Sequence, residues 1–379
     1  MKIAFYHYFW PHLLKDKQEI FKNKISEYLV IYNLIKSLEK KGYQIIKYSK
    51  IPPSPYRSDK NIFVFRSNIS QIIELIKFIF KPPDYLGLVS KSIYNSKTLV
   101  PLIRFICRIR NIKFLIFMGH DESQTSLEVL KNVTTYKYRE DLFWKSKEEI
   151  NRRLKTNESY RPGSKNEYVV VPSTVIRENC IKEGWPSNNI IVLPHGVDTD
   201  FFKPSSLKKN NGKIKILFAG NGATRKGLPY LLRAYKKLQT EYPTELTILS
   251  HNVKDIQISG ITILKDINNN ELLELYQAHD IFVLPSLLDG WGLTVSEAMS
   301  CGLPVIISSL VGIKDIIKNK KNGYIIKPKN STEIYLLLEY LLNNPKDRKK
   351  IGQNARQTAT DLSWNIVGDM FIKNLKRIQ

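Results

Sequence analysis

The chain has 379 residues, 42% of them hydrophobic and 25% charged, with a formal net charge of +24 at pH 7. That length holds two domains of ordinary size, and the balance of apolar and charged residues excludes a disordered chain. Three widely spaced cysteines, Cys107, Cys180 and Cys301, exclude a disulfide framework or a cysteine metal cluster and fit a reducing compartment; no apolar run is long enough to predict a membrane-spanning helix.

An apolar, aromatic stretch over 3–9 reads as a first buried strand rather than a signal peptide, and Trp10, Pro11 and His12 end it. Ile25, Leu29, Tyr32, Ile35 and Leu38 recur at helical spacing over 24–40; Gly42 closes that helix and 43–48 reads as a second strand. Pro52, Pro53 and Pro55 mark a surface loop. Strands are expected at 61–65, 85–89 and 113–118, with helices at 69–80 and 99–109. Residues 122–166 are polar and less regular, with a charged helix over 139–154. A strand at 168–171, a helix to about 183 and a strand at 190–193 complete a first lobe. Residues 1–120 carry 21 Lys/Arg against 7 Asp/Glu, so over half of the net charge sits there. Such a lobe suits nucleic acid, an anionic membrane surface or a phosphorylated substrate; a general abundance of Lys, Asn and Ile accounts for it equally well.

Residues 194–204 lead out of this lobe, and the polar stretch 205–213 reads as a linker. A second alternation follows, with strands at 214–219, 246–249, 261–264, 281–284, 305–307 and 324–326. Helices lie between them at 227–238, 272–278 and from Thr294 to Gly302, and three more at 332–343, 346–360 and 364–376 finish the chain. Strand–helix alternation in both halves predicts an α/β chain with two doubly wound parallel sheets.

Two turns in the second lobe carry the chemistry. After the strand at 214–219 come Gly220, Asn221 and Gly222, then Arg225 and Lys226, then a helix. Glycines let backbone approach an anion, helix N–H groups point at it, and two cations stand beside it, as a diphosphate leaving group requires. The same pattern is also that of a tight turn with exposed cations. After the strand at 281–284 come Pro285, Asp289, Gly290, Trp291, Gly292 and Leu293, then a short helix containing Glu297. Thr294 and Glu297 also spell a capping box, with Thr as N-cap and Glu at N3. In the first lobe His120 follows an apolar strand, between Gly119 and Asp121. Asp198, Thr199 and Asp200 have the Asp-X-Asp form of a metal–nucleotide signature, but they lie in the passage between the lobes and no metal role is expected.

The stretch 280–307 resembles the donor-site signature of the retaining family 4 glycosyltransferases of the GT-B fold (glycosyl transferases group 1). That signature is an acidic residue, seven intervening residues and a Glu, within a Pro-Ser…Gly-Phe-Gly-Leu…Glu-Ala-Met…Gly-Pro-Val context. Asp289 stands for the usual first Glu, Glu297 is the second, and Trp291 replaces the Phe. The resemblance extends over 168–204 and 216–228. Lys226 falls on the family's lysine, Asn221 occupies the usual Arg position, and Arg225 supplies an Arg before the lysine. It is weak before residue 120, where residues 10–14 replace a glycine-rich loop.

The resemblance implies two Rossmann-like domains facing across a cleft. Residues 1–204 would form the acceptor side and 205–360 the nucleotide-sugar side, and 361–379 would be a helix crossing back to the first domain. It implies transfer of a sugar from a UDP- or GDP-linked donor to a hydroxyl of a glycan, lipid-linked or other acceptor, with retention and without metal or other cofactor. His120 and Asp289 would orient the sugar. Gly220, Asn221, Arg225, Lys226, Gly290, Trp291, Gly292 and Leu293 would hold the sugar diphosphate, and Glu297 the donor ribose. His195, at the Asn of the family's Asn-Gly-Val-Asp motif, reads as structural. The expected setting is polysaccharide biosynthesis in the cytoplasm, with the basic lobe against an anionic membrane and no nucleic-acid partner. A sugar-nucleotide epimerase and a noncatalytic membrane- or nucleic-acid-binding protein are the alternatives.

Overall fold

The computed structural model describes residues 2–7, 26–49, 62–63, 114–118, 134–138, 167–182, 185–205, 212–251, 253, 256 and 258–378. In the first half these are β1 (Lys2–His7), α1 (Ser26–Lys40), β2 (Gln44–Ser49), β3 (Ile62–Phe63), β4 (Phe114–Met118), β5 (Thr134–Tyr138), β6 (Glu167–Val171), α2 (Thr174–Lys182) and β7 (Ile190–Val192). They form one parallel sheet in the order β3-β2-β1-β4-β5-β6-β7, with Ile3 opposite Ile45 on one side and Phe114 on the other. Leu34, Ile35 and Leu38 of α1 are buried, as their spacing predicts.

Strand β5 was not expected. Its sequence, Thr-Thr-Tyr-Lys-Tyr, has no continuous apolar run, yet its β-branched and aromatic residues suit a pleated surface between β4 and β6. The expected helices at 69–80, 99–109 and 139–154, the strand at 85–89 and His120 lie outside the described residues.

The second half contains β8 (Ile214–Ala219), α3 (Leu228–Glu241), β9 (Thr244–Leu249), β10 (Ile261–Leu264), α4 (Asn269–Ala278), β11 (Ile281–Leu284), α5 (Leu293–Ser300), β12 (Val305–Ser308) and β13 (Tyr324–Ile326). Three further helices follow, α6 (Ser331–Asn343), α7 (Pro345–Thr360) and α8 (Trp364–Ile378). Every residue of β11 and β12 is buried, which is why both read as unbroken apolar runs: in a parallel sheet helices cover both faces. Helix α3 buries Leu228, Leu231, Ala234, Tyr235 and Leu238 along one stripe. Helix α4 starts at a capping box, with Asn268 accepting from the Glu271 N–H and Glu271 from the Asn268 N–H.

The second sheet has the order β10-β9-β8-β11-β12-β13. Counted from β8, this is the doubly wound order 3-2-1-4-5-6. The direction of winding reverses between β8 and β11, and ligands bind such sheets at the carboxyl ends of the two strands that flank the reversal. No helix among the described residues is long and apolar enough to cross a membrane.

The chain divides into two compact units, Met1–Val171 with Arg177–Val192, and Pro172–Ile176 with Leu193–Gln379. The division comes earlier than the expected boundary after residue 204. The passage 194–204 is bonded into the second unit: the Val197 N–H donates to the Leu362 carbonyl at 3.0 Å, and Ser300 Oγ to the Phe202 carbonyl at 2.6 Å. Arg356 donates to the carbonyls of Phe202 and Thr199 at 2.9 and 3.1 Å. Helix α8, expected to cross to the first domain, belongs to the second unit.

Candidate active site

The loops after β8 and β11 meet at the reversal. Gly227, the N-cap of α3, has φ +77°, and a Cβ on it would lie 1.9 Å from the Pro285 carbonyl oxygen. The two loops touch backbone to backbone at this point. Arg225 joins them twice more: its carbonyl accepts from the Leu287 N–H at 2.7 Å, and its Nη1 donates to the Leu288 carbonyl at 2.9 Å. Burial lowers the guanidinium's pKa, and the charge of Asp289 opposes that shift. The Asn221 side chain accepts from the His251 N–H at 3.1 Å, tying its loop to the end of β9. Arg225 thus joins the two loops, and Asn221 joins the first of them to the end of β9.

Lys226 and Asp289 form an ion pair, Nζ on Oδ2, with 14% and 11% of the side chains exposed. The pair links the end of the first loop to the middle of the second. Asp289 is itself fixed through its backbone, which bridges to Val311: its N–H donates to the Leu310 carbonyl at 3.2 Å, and its carbonyl accepts from the Gly312 N–H at 3.0 Å. A Cβ on Gly312 would lie 2.0 Å from the Gly290 carbonyl oxygen. Ser173 Oγ donates to that same carbonyl at 2.8 Å. Neither Ser173 nor Gly312 was marked by the sequence, because their partners are remote in the chain.

These contacts use carbonyls and leave N–H groups. Among the described residues, the backbone N–H groups of Gly290, Trp291, Gly292 and Leu293 make no hydrogen bond. Gly292 is the N-cap of α5 with φ +96°, so the helix begins there with its orphan donors facing the loop. Four successive N–H groups at the positive end of a helix form an anion seat, one residue beyond the carboxylate of Asp289. The Trp291 side chain is buried and tilted against His195, with ring centroids 6.0 Å apart; its Nε1 has no hydrogen-bond partner among the described residues. Burial drives the His195 pKa down to about 3, so the ring is neutral. Asp198 Oδ1 accepts from the Phe201 N–H at 3.1 Å and closes a turn.

The expected capping box at Thr294 and Glu297 is not formed. With Gly292 as N-cap, Thr294 is already inside the helix, and its hydroxyl donates to the Ala219 carbonyl at 3.2 Å. Glu297 turns inward, where Oε2 accepts from the Tyr276 hydroxyl at 2.8 Å. Burial pushes the Glu297 carboxyl up to about 7, against the Tyr276 bond, which favours the charged form. The folded state therefore holds this proton more tightly than an unfolded chain with the ordinary value of 4.5. The group's contribution to stability falls as pH rises from about 4.5 through about 7 and is level above that. Glu297→Gln removes that penalty and keeps an acceptor for Tyr276. The variant is more stable than the parent by about 1–3 kcal/mol at alkaline pH, with the gap closing in acid, read from denaturant midpoints across pH.

A family profile described as glycosyl transferases group 1 matches residues 200–358. Those residues form a glycosyl transferases group 1 domain. The loops after β8 and β11, Lys226, Asp289 and Glu297 all lie inside this group 1 domain. An uncharacterized glycosyltransferase of Methanocaldococcus jannaschii is 27% identical over 219 residues, which cover 52% of this chain and 56% of that protein. The chain thus spans about half the length of the curated relatives it matches. Among solved structures, a glycosyltransferase from Rickettsia africae aligns over 100% of this chain and 98% of its own, with TM-score 0.65 and 16% identity. The Anabaena protein HepE in complex with UDP aligns over 100% of both chains, with TM-score 0.65 and 15% identity. The fold is GT-B, with the group 1 domain as its second Rossmann-like unit.

Proposed function

We propose that this protein is a retaining glycosyltransferase that takes its sugar from a UDP- or GDP-linked donor. The observation that carries this reading is the Lys226–Asp289 pair beside the four N–H groups of 290–293, at the sheet reversal of a group 1 domain. The site presents a cation and an anion seat to one part of a ligand and a carboxylate to another. A sugar diphosphate needs both. Lys226 and the α5 N-terminus meet the charge that develops on the diphosphate as the anomeric C–O bond breaks. Arg225 adds positive charge from the loop junction. Asp289, released from Lys226 by the phosphates, accepts from sugar hydroxyls, and Glu297 accepts from the ribose.

The acceptor oxygen bonds the anomeric carbon on the face the diphosphate leaves, and its proton passes to a phosphate oxygen. No metal is required, because protein donors neutralise the leaving group. The acceptor is a glycan or lipid-linked hydroxyl, met by the basic first unit at the cytoplasmic face of a membrane. The UDP carried by the Anabaena structure supports the donor class, and the likeness to an uncharacterized glycosyltransferase supports the reaction.

A nucleotide-sugar hydrolysis screen tests the reading. Incubation of the full chain with each UDP- and GDP-linked sugar releases free UDP or GDP from one donor class above the uncatalysed rate. If no donor in either class releases nucleotide and neither UDP nor GDP raises the melting temperature, the reading fails.

A further inference from the structure

Glu297 is held from one side only. Oε2 accepts from the Tyr276 hydroxyl, while Oε1 accepts no hydrogen bond among the described residues, and the residue keeps partial exposure. Tyr276 is fully buried. Its ring packs edge-on to Phe202, with centroids 5.8 Å apart, and tilted against Phe282 at 6.0 Å. The helix that carries it is anchored by the capping box at Asn268. Burial and the neighbouring charge of Glu297 raise the tyrosine's own pKa well above its usual value, so the hydroxyl remains a donor. Packing alone would be served by phenylalanine, whose ring has the same shape and no polar group to bury.

We propose that Tyr276 is a positioning residue for the donor nucleotide: by engaging Oε2 of Glu297 it presents Oε1 as the acceptor for a ribose hydroxyl. The proposal rests on the reading of Glu297 as the ribose ligand. Charge reinforces the geometry, since an ionised carboxylate is the stronger acceptor and the tyrosine bond favours that form against burial. The other titratable groups near Glu297 are Cys301, one turn on and itself pushed up to about 12 chiefly by burial, and Arg356 of α7, whose charge opposes that rise. The Cys301 N–H donates to the Glu297 backbone carbonyl at 3.0 Å; among the described residues Tyr276 is the side chain bonded to its carboxylate.

The test titrates wild type, Tyr276→Phe and Glu297→Ala calorimetrically with UDP and GDP and with their 2′,3′-dideoxy forms, from about pH 6 to about pH 8.5. Wild type loses about tenfold or more in affinity when the ribose hydroxyls are removed, as expected for a hydrogen bond to a charged group. Its affinity for the ribonucleotide also falls as pH drops below about 7. Tyr276→Phe binds the ribonucleotide more weakly, loses less than about threefold on removal of the hydroxyls, and begins its acid fall at higher pH. A phenylalanine variant with full ribose discrimination and the parent pH profile overturns the proposal, whatever its melting temperature. If Glu297→Ala discriminates as wild type does, or if neither ribonucleotide binds, the reading of Glu297 fails and the proposal with it.

Discussion

Lys226→Ala lowers the release of nucleotide from the active donor by about a hundredfold to a thousandfold, the range found when a group aimed at transition-state charge is removed. Two effects are mixed in that variant and can be separated. Lys226 is the partner of Asp289, and both side chains are nearly buried. Its removal strands a carboxylate, which costs roughly 2–4 kcal/mol of stability. The double variant Lys226→Ala, Asp289→Asn removes the stranded charge and recovers most of that loss in a melting experiment. It recovers none of the turnover, because no cation is returned to the diphosphate. A Lys226→Ala protein that releases nucleotide at the parent rate sinks the site assignment. So does a double variant in which turnover returns together with stability, since the lysine would then matter only for folding.

The second unit was legible because its central strands, β11 and β12, are buried on both faces and the others carry short apolar runs. Strands β8, β10 and β11 end where the apolar runs end, at Gly220, Lys265 and Pro285. Parallel sheets covered by helices require such runs, and glycine or proline stops most of them. Strand β5 lacks that signal, since Tyr136 and Tyr138 alternate with polar residues inside a polar region. The motif at Thr294 and Glu297 misled for a different reason. The local pattern suits a capping box, but Gly292 in a left-handed conformation starts the helix earlier. Thr294 then meets Ala219 and Glu297 meets Tyr276, both from elements remote in sequence. Tertiary partners decided the role of two residues that local spacing could place but not assign.

The site itself was legible as residue types and not as connections. Glycines, cations and carboxylates at the ends of β8 and β11 point to an anion, and the sheet order sets those loops side by side. That Lys226 lies on Asp289, and that Arg225 and Asn221 brace backbone, depends on contacts spanning 63 residues or the end of another strand. The cation and the carboxylate satisfy each other. On the proposed function, the donor exchanges this ion pair for two sets of ligand contacts, which favours a sugar diphosphate over either fragment alone.

Gly227→Ala tests whether the two loops act as one piece. The backbone there has φ +77°, which costs an alanine roughly 1 kcal/mol. The added Cβ also falls 1.9 Å from the Pro285 carbonyl oxygen, a backbone atom that cannot swing aside. Relief requires the loop after β11 to retreat from α3, and that loop carries Asp289 and the N–H groups of 290–293. Leu287 and Leu288, both bonded to Arg225, must move with it. The expected loss is roughly 3–5 kcal/mol, together with loss of UDP or GDP binding in the fraction that still folds. Gly222 provides the control, because its φ of +78° is the same while a Cβ there meets only the Arg225 side chain, at 3.6 Å. Gly222→Ala therefore carries the backbone cost alone, about 1 kcal/mol. The difference between the two variants measures the loop contact. Equal melting temperatures for both would mean that the loops yield independently and that the carboxylate and the cation are not held in register by the fold.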